Sequence, residues 1–232
     1  MLPAEHQAIY EQEYLANREG GNFITSLAKN LESWMHRKVR DNIAGGRLLE
    51  IGAGTLNQVP YLHGKKIACY DVIEPAKFLY ENSPNKNIIR NFYDDIEECS
   101  EAYDGVFSVA VFEHLVNLPY VLAKTGLLLS EGNGVLVNAV PSEGGMLWGA
   151  SWRLTTGVAY RLRTGLPYKT LMRHEHVNNL DEIVALHKYF FNEVNITYFP
   201  MPLKHLSFYS CIVARHPKIE ICKQYINETR NG

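Results

Sequence analysis

Gly46–Leu62, GRLLEIGAGTLNQVPYL, decides the fold. An apolar run (Leu48, Leu49, Ile51) carries one acid, Glu50, near its end. Gly52 and Gly54 follow at once, and a helix is expected to begin just beyond them. Strand, tight glycine turn and helix in that order build a pocket at the carboxyl edge of a parallel sheet, where nucleotide-like ligands bind in open α/β folds. Glu50 narrows the choice of ligand. The free N–H groups of such a turn attract phosphate, and a carboxylate beside them repels it. The position suits a ligand that is cationic or rich in hydroxyls and lacks phosphates.

Outward from this stretch, strands and helices alternate. A second strand is expected over Lys66–Ile73, closed by Glu74-Pro75 because proline cannot continue it. A helix follows to about Glu81, then a short third strand over Ile88–Arg90. Asp104–Val111 reads as a buried fourth strand, Pro119–Leu129 as a helix, and Asn133–Val140 as a fifth strand, punctuated by Pro141 and Gly144-Gly145. Such alternation implies parallel βαβ units. Upstream, residues 5–18 and 25–43 carry helical spacing and are separated by Gly20-Gly21; Phe23, Leu27, Leu31, Trp34 and Val39 fall near one face. After Pro141 the period is lost until Asn179, which forms a capping box with Glu182. Two strands are expected over Glu193–Phe199 and Leu206–Ala214, and Gln224–Gly232 reads as a polar, frayed end. One domain is expected, divided into N-terminal helices (1–44), a ligand-binding core (45–140), a cap (141–178), a helix with two strands (179–216) and a tail (217–232).

Composition bounds the function. A chain of 232 residues, 46% hydrophobic and 21% charged, is that of a globular soluble protein. The net charge of −2 argues against a general nucleic-acid binder. No apolar run reaches the length of a membrane span. The N-terminus, MLPAEHQAIYEQEY, is too polar and acidic for a signal peptide. Cys69, Cys99, Cys211 and Cys222 form no CxxC pair and read as reduced thiols, neither a zinc site nor a disulfide framework. The cytoplasm is the expected location.

Four pieces then fall in the order a cofactor site requires. Glu50 ends the first strand. Gly52 and Gly54 let the backbone approach a ligand without a Cβ. Glu74 ends the second strand about 20 residues past the loop, the spacing at which an acid reaches a pair of ribose hydroxyls. Asp94 and Asp95 lie past the third strand, where a carboxylate can accept an adenine amino group. S-adenosylmethionine, a sulfonium with a ribose and no phosphate, meets all four. A nicotinamide fingerprint would want glycine where Asn57 stands and has no use for Glu50.

LLEIGAG, the acid in YDVIEP, and YDGVFSVAVFEHL resemble the successive motifs of class I, Rossmann-like, S-adenosylmethionine-dependent methyltransferases. The resemblance covers roughly Leu48 to Val140. It implies a doubly wound, mostly parallel seven-stranded α/β sheet with N-terminal helices and a cap inserted after strand five. It also implies that Glu50, Gly52 and Gly54 line the methionine and ribose end, that Glu74 binds the ribose hydroxyls, and that Asp95, or Asp94 beside it, faces adenine. Phe112 and Glu113 would lie beside the cofactor. One departure stands out: many members carry a third glycine where this chain has Leu56.

The cap bears on the acceptor. No acid lies between Glu143 and Glu175, whereas Arg153, Arg161, Arg163, Lys169 and Arg173 do, interleaved with Trp148, Trp152, Tyr160 and Tyr168. Arginine forks suit phosphate and carboxylate, and aromatic faces suit a sugar or a base. Trp148, Trp152, Arg161, Arg163, Tyr168 and Arg173 are the candidate acceptor residues. Two other readings stand beside this one: solvated arginines over a tryptophan core, and contact with anionic lipid head groups. The cap runs into RHEHVNNLDEI, where His174 and His176 precede a helix; a histidine there is common among similar enzymes. Methylation of a hydroxyl needs a base, and imidazole is the usual one near neutral pH. His176 is preferred, with His114 and His174 as alternates. Adjacent side chains on an extended segment diverge, so no metal is expected at His174, Glu175 and His176.

The longer pattern GAGTLNQVPYL, YDVIEP, FEHLVNLP, PSEGG and RHEHVN is similar to a bacterial subgroup associated with surface-polysaccharide (capsule or O-antigen) biosynthesis. That implies a sugar, or a phosphorylated or nucleotide-linked precursor, as the acceptor, with oxygen favoured over nitrogen and S-adenosylhomocysteine as the product. An N-methyltransferase, a nucleotide-cofactor oxidoreductase and a non-catalytic interaction protein remain as alternatives. Tyr10, Tyr14, Trp34 and His36 either line the entrance or pack the N-terminal helices onto the sheet. No oligomeric state is expected over another.

Overall fold

The computed structural model describes residues 23–154 and 156–231, with the side chains of 23–31, Thr156, Arg173 and Asn231 left out of the description. The helix expected over 5–18, the break at Gly20-Gly21, and Tyr10 and Tyr14 lie outside the described residues.

Among the described residues, seven strands form one sheet: β1 (Gly45–Ile51), β2 (Lys66–Ile73), β3 (Asn91–Tyr93), β4 (Gly105–Val109), β5 (Val135–Pro141), β6 (Phe191–Pro200) and β7 (Ser207–Pro217). Their order is β3-β2-β1-β4-β5-β7-β6. Every pair from β3 to β5 is parallel, and β7 runs antiparallel between β5 and β6. The parallel units are those the alternation implies, and the whole is the mostly parallel, doubly wound sheet implied by the resemblance. Adjacent residues of a strand face opposite layers, so an interior strand reads as a continuous apolar run. In β1, Leu48 packs with Trp34, Met35 and Val39 of α1 (Phe23–Asn42). Leu49 and Ile51 pack in the opposite layer with α3 (Leu118–Leu128), α7 (Leu180–Phe190) and α8 (Ile219–Asn231).

Several boundaries differ from expectation for identifiable reasons. The third strand is Asn91–Tyr93, not Ile88–Arg90, because Lys86–Ile88 forms a short 3-10 turn. Arg90 then reaches back to the buried Asp71 carboxylate through Nε (2.9 Å) and an Nη (2.5 Å), while the Tyr103 hydroxyl donates to the same carboxylate at 2.8 Å. The expected tail is helical: Cys222 and Ile226 of α8 are buried against the layer that contains α3. The helix on the second strand shrinks to α2 (Lys77–Tyr80).

The largest difference lies beyond the glycine turn. No α-helix begins there; turns lead into a 3-10 segment, Val59–Leu62. Leu56 has φ +63, a left-handed conformation that ends any right-handed helix. Its side chain is fully buried, so packing outweighs the backbone strain that glycine would avoid at this position.

A closed polar chain ties the sheet to α7. The Ser108 hydroxyl donates to Asn138 Oδ1 (2.8 Å), and Asn138 Nδ2 donates to His187 Nε2 (2.6 Å). His187 Nδ1–H donates to the Ile183 carbonyl (2.7 Å). A carbonyl only accepts, so the proton sits on Nδ1 and Nε2 is left to accept the amide. Burial pushes the His187 pKa down to about 4, with the Ile183 bond opposing. The unfolded chain therefore binds a proton first as pH falls. The contribution of neutral His187 is complete above about pH 6.5 and is lost progressively towards pH 4. Denaturant unfolding of the wild type should show a fall of about 3 kcal/mol across that window from this group. His187→Gln should remove that component of the pH dependence. An identical pH profile in the variant would assign the loss to other groups.

Candidate active site

Parallel pairing brings the ends of β1 to β5 to one edge of the sheet, and every candidate cofactor residue lies at a strand end or on a loop leaving that edge. Gly52 has φ +71, and a Cβ there would stand 2.5 Å from a Val111 methyl, so the turn lies hard against the loop after β4. Glu74 ties the turn to β2: the N–H of Gly54 donates to its Oε2 (2.7 Å) and that of Ala76 to its Oε1 (3.0 Å). A carboxylate offers about four acceptor positions, so two backbone bonds leave capacity for hydroxyl donors.

Glu50 is buried and accepts a bond from the Tyr70 hydroxyl. Burial pushes its pKa up to about 8; the Tyr70 bond opposes this and the nearby charge of Glu74 adds to it. A nearby cation would reverse that balance. The Glu74 N–H donates to the Tyr93 carbonyl (2.9 Å), which places Asp94 and Asp95 at the same edge. Both are exposed, and Asp95 caps the short 3-10 segment Ile96–Glu98 by accepting from the Glu97 N–H at 2.9 Å.

A second cluster forms where the loop after β4 meets the end of the cap. The cap is three short helices, α4 (Met146–Leu154), α5 (Thr156–Thr164) and α6 (Tyr168–Glu175). His176 closes α6 rather than opening the next helix, and Asn179 caps α7 with the expected capping box. The N–H groups of Val177 and Asn178 both donate to the Glu113 carbonyl (2.9 and 3.1 Å). The Asn178 side-chain amide donates to the carbonyls of Phe112 (2.9 Å) and Leu115 (2.7 Å). These bonds clamp PheGluHis at 112–114 against 176–178.

His176 Nδ1 lies 2.5 Å from Glu143 Oε2, and its ring meets His114 edge-on at 4.8 Å. Burial works against charge on His176, but the Glu143 bond and charge, helped by Glu113 and Glu175, raise its pKa above the usual value. A carboxylate only accepts, so Nδ1 carries the proton and Nε2 of the neutral ring carries the lone pair. Glu113 is almost fully buried, and its Oε2 has no hydrogen-bond partner among the described residues. Burial pushes its pKa up, with His114 pulling back. His114 Nδ1 donates to the Glu175 carbonyl at 2.8 Å. His174 is exposed on α6, and no described bond joins it to this cluster.

Glu143 was not among the sequence candidates. It marks only the start of the acid-free stretch, and nothing local pairs it with a histidine 33 positions on. The Asn178 clamp was equally hidden.

The cap aromatics largely pack on one another. Tyr160 is buried against Tyr168 (5.2 Å between rings), and Trp152 lies 6.0 Å from Tyr168 with the Arg153 guanidinium 4.6 Å over its face. Trp148 approaches Tyr209 at 6.2 Å, and its indole N–H is buried with no partner among the described residues. Arg161 and Arg163 are exposed. Trp34 stacks on Phe199 (5.2 Å), and His36 stacks on Tyr61 (4.8 Å) while bonding Gln58 (2.7 Å). Both side chains pack α1 onto the body.

No protein-family model matches the chain, and no curated protein matches it by sequence. Solved structures do match. Magnesium protoporphyrin IX methyltransferase from Synechocystis, with bound S-adenosylhomocysteine, superposes with TM-score 0.56 at 12% identity over 91% of this chain and 96% of its own. An S-adenosylmethionine-dependent methyltransferase from Archaeoglobus fulgidus gives 0.56 at 13%, over 85% and 100%. One from Mesorhizobium loti gives 0.55 at 12%, over 80% and 98%. The fold is that of S-adenosylmethionine-dependent methyltransferases.

The donor set at the methyltransferase-fold edge fits the cofactor of that fold. Two carboxylates flank a glycine turn that a Cβ at Gly52 would crowd against Val111, and among the described residues no cation offsets the burial of Glu50. A phosphate-bearing coenzyme would meet like charge there. Among the described residues no group of three His, Cys, Asp or Glu could hold a metal ion, and no helix is long and apolar enough to cross a membrane.

Proposed function

We propose that the protein catalyses methyl transfer from S-adenosylmethionine to an oxygen of a small anionic acceptor, a sugar or a phosphorylated or nucleotide-linked precursor. The observation that carries this reading is the Glu143–His176 pair, held at the same sheet edge as the Glu50–Glu74 turn. When bound, S-adenosylmethionine supplies an electrophilic methyl carbon on a sulfonium. Glu50, Gly52, Gly54 and Glu74 would hold it, with Asp95 or Asp94 towards adenine and Phe112 and Glu113 alongside.

Glu143 keeps the proton on Nδ1 of His176 and leaves Nε2 to take the acceptor hydroxyl proton. His114 and His174 are the alternate bases. Trp148, Trp152, Tyr168 and Arg173 would line the acceptor; the one-signed charge of the cap supports an anion. The likeness of the longer sequence pattern to polysaccharide-biosynthesis enzymes supports a sugar.

Calorimetry tests the cofactor. At pH 7 Glu50, with its pKa near 8, is mostly protonated, and a cation beside it favours the carboxylate. Binding of S-adenosylmethionine should therefore release a proton, read as a dependence of the heat on buffer ionisation enthalpy, and affinity should rise with pH up to about 8. S-adenosylhomocysteine, whose sulfur is neutral, should release less. Equal release would assign the effect to the methionine ammonium, which both ligands carry, rather than to the sulfonium. No binding of either by folded protein would end the reading.

A further inference from the structure

The outer side of the cap is apolar where a solvent-facing helix should be polar. In α5, Tyr160 is the inward residue, packed on Leu171 and Tyr168. Val158 and Leu162 each lie about 160° round the helix from it, at 100° per residue. They are 46% and 82% exposed. Leu154, the last residue of α4, adds a third apolar side chain, 75% exposed, four positions before Val158. Arg161 and Arg163, both exposed, stand to either side of this row. A single helix that is apolar on both sides marks a second contact.

Charge decides what that contact is. Residues 144–174 hold five of the chain's 23 basic residues and none of its 25 acidic ones, so the remainder stands at −7 against −2 overall. The cap is basic, and the rest of the sequence carries a net negative charge. Two copies meeting cap to cap about a two-fold axis would bring ten cations together, an arrangement that like-charge repulsion opposes. An anionic bilayer accepts both features: leucine and valine enter the boundary between head groups and acyl chains, and arginines stay at the phosphates.

We propose that the Leu154–Arg163 face of the cap docks on anionic lipid membranes. The cap is bounded by Glu143 and His176, so docking would hold the candidate site beside the bilayer. The surface stands independently of the methyl-transfer reading.

Flotation of the full-length protein with vesicles tests it. Phosphatidylcholine mixed with phosphatidylglycerol should bind the protein about tenfold more strongly than phosphatidylcholine alone, and the difference should shrink with added salt. The double variant Val158→Glu, Leu162→Glu should lose about tenfold in binding to the mixed vesicles, with an unchanged Tm because both positions are exposed. Arg161→Glu with Arg163→Glu should remove most of the salt-sensitive part. Equal partition onto both kinds of vesicle overturns the proposal, as does a double variant that binds like wild type. So does wild-type self-association in sedimentation that the Val158→Glu, Leu162→Glu change abolishes, which would assign the face to a second copy of the chain.

Discussion

Replacing His176 with Ala is expected to lower kcat by about a hundred- to a ten-thousandfold, the range a positioned base contributes, with S-adenosylmethionine affinity near wild type. The ring touches Glu143 and His114, not the Glu50–Glu74 turn, so turnover and cofactor binding should separate. Glu143→Gln supplies the control that a merely structural histidine would fail. The wild-type His176 pKa lies above its ordinary value because the Glu143 carboxylate, helped by Glu113 and Glu175, outweighs burial. The acid limb of the pH–rate profile should therefore lie above about pH 6.5. Without that carboxylate, burial prevails, and the limb should move to lower pH. Unchanged turnover in His176→Ala removes it from the base role. A small loss with no pH shift points to a nucleophile that needs no base, as a free amine would be.

Glu74→Ala should weaken S-adenosylmethionine at least about tenfold, about 1.4 kcal/mol. It should also destabilise the fold, because the N–H groups of Gly54 and Ala76 lose their acceptor, a loss of about 2 kcal/mol. Two effects from one residue need separating. Glu74→Gln keeps one acceptor oxygen and should recover much of the stability, yet it offers a ribose hydroxyl pair no charge. Affinity that stays low while Tm recovers supports direct contact with the ribose. Affinity that follows Tm assigns Glu74 to shaping the turn alone, and intact affinity in Glu74→Ala overturns the ribose contact.

The order of secondary elements was legible because it is written in local patterns. An apolar run bounded by glycine or proline is a buried parallel strand whichever partner it meets, so β1, β2, β4 and β5 fall within a few residues of expectation. The Asn179–Glu182 capping box depends on four consecutive residues and needs no tertiary partner. That Glu50, Gly52, Gly54 and Glu74 come together was legible for the same reason: strand ends in a parallel sheet share an edge, so position along the chain already implies proximity.

Features that depend on distant partners were not legible. The Leu56 backbone is left-handed because its buried side chain holds it there, and no local signal distinguishes that from a helix start. Arg90 stands outside the strand and bonds the Asp71 carboxylate, which only sheet pairing brings within reach. Glu143 becomes the partner of His176 only after a cap of three helices has folded back and the 112–114 turn has been clamped by Asn178. Local periodicity and turn chemistry act over a few residues, whereas a pair such as Glu143 and His176 is a contact whose sequence separation is set by the path of the chain through space.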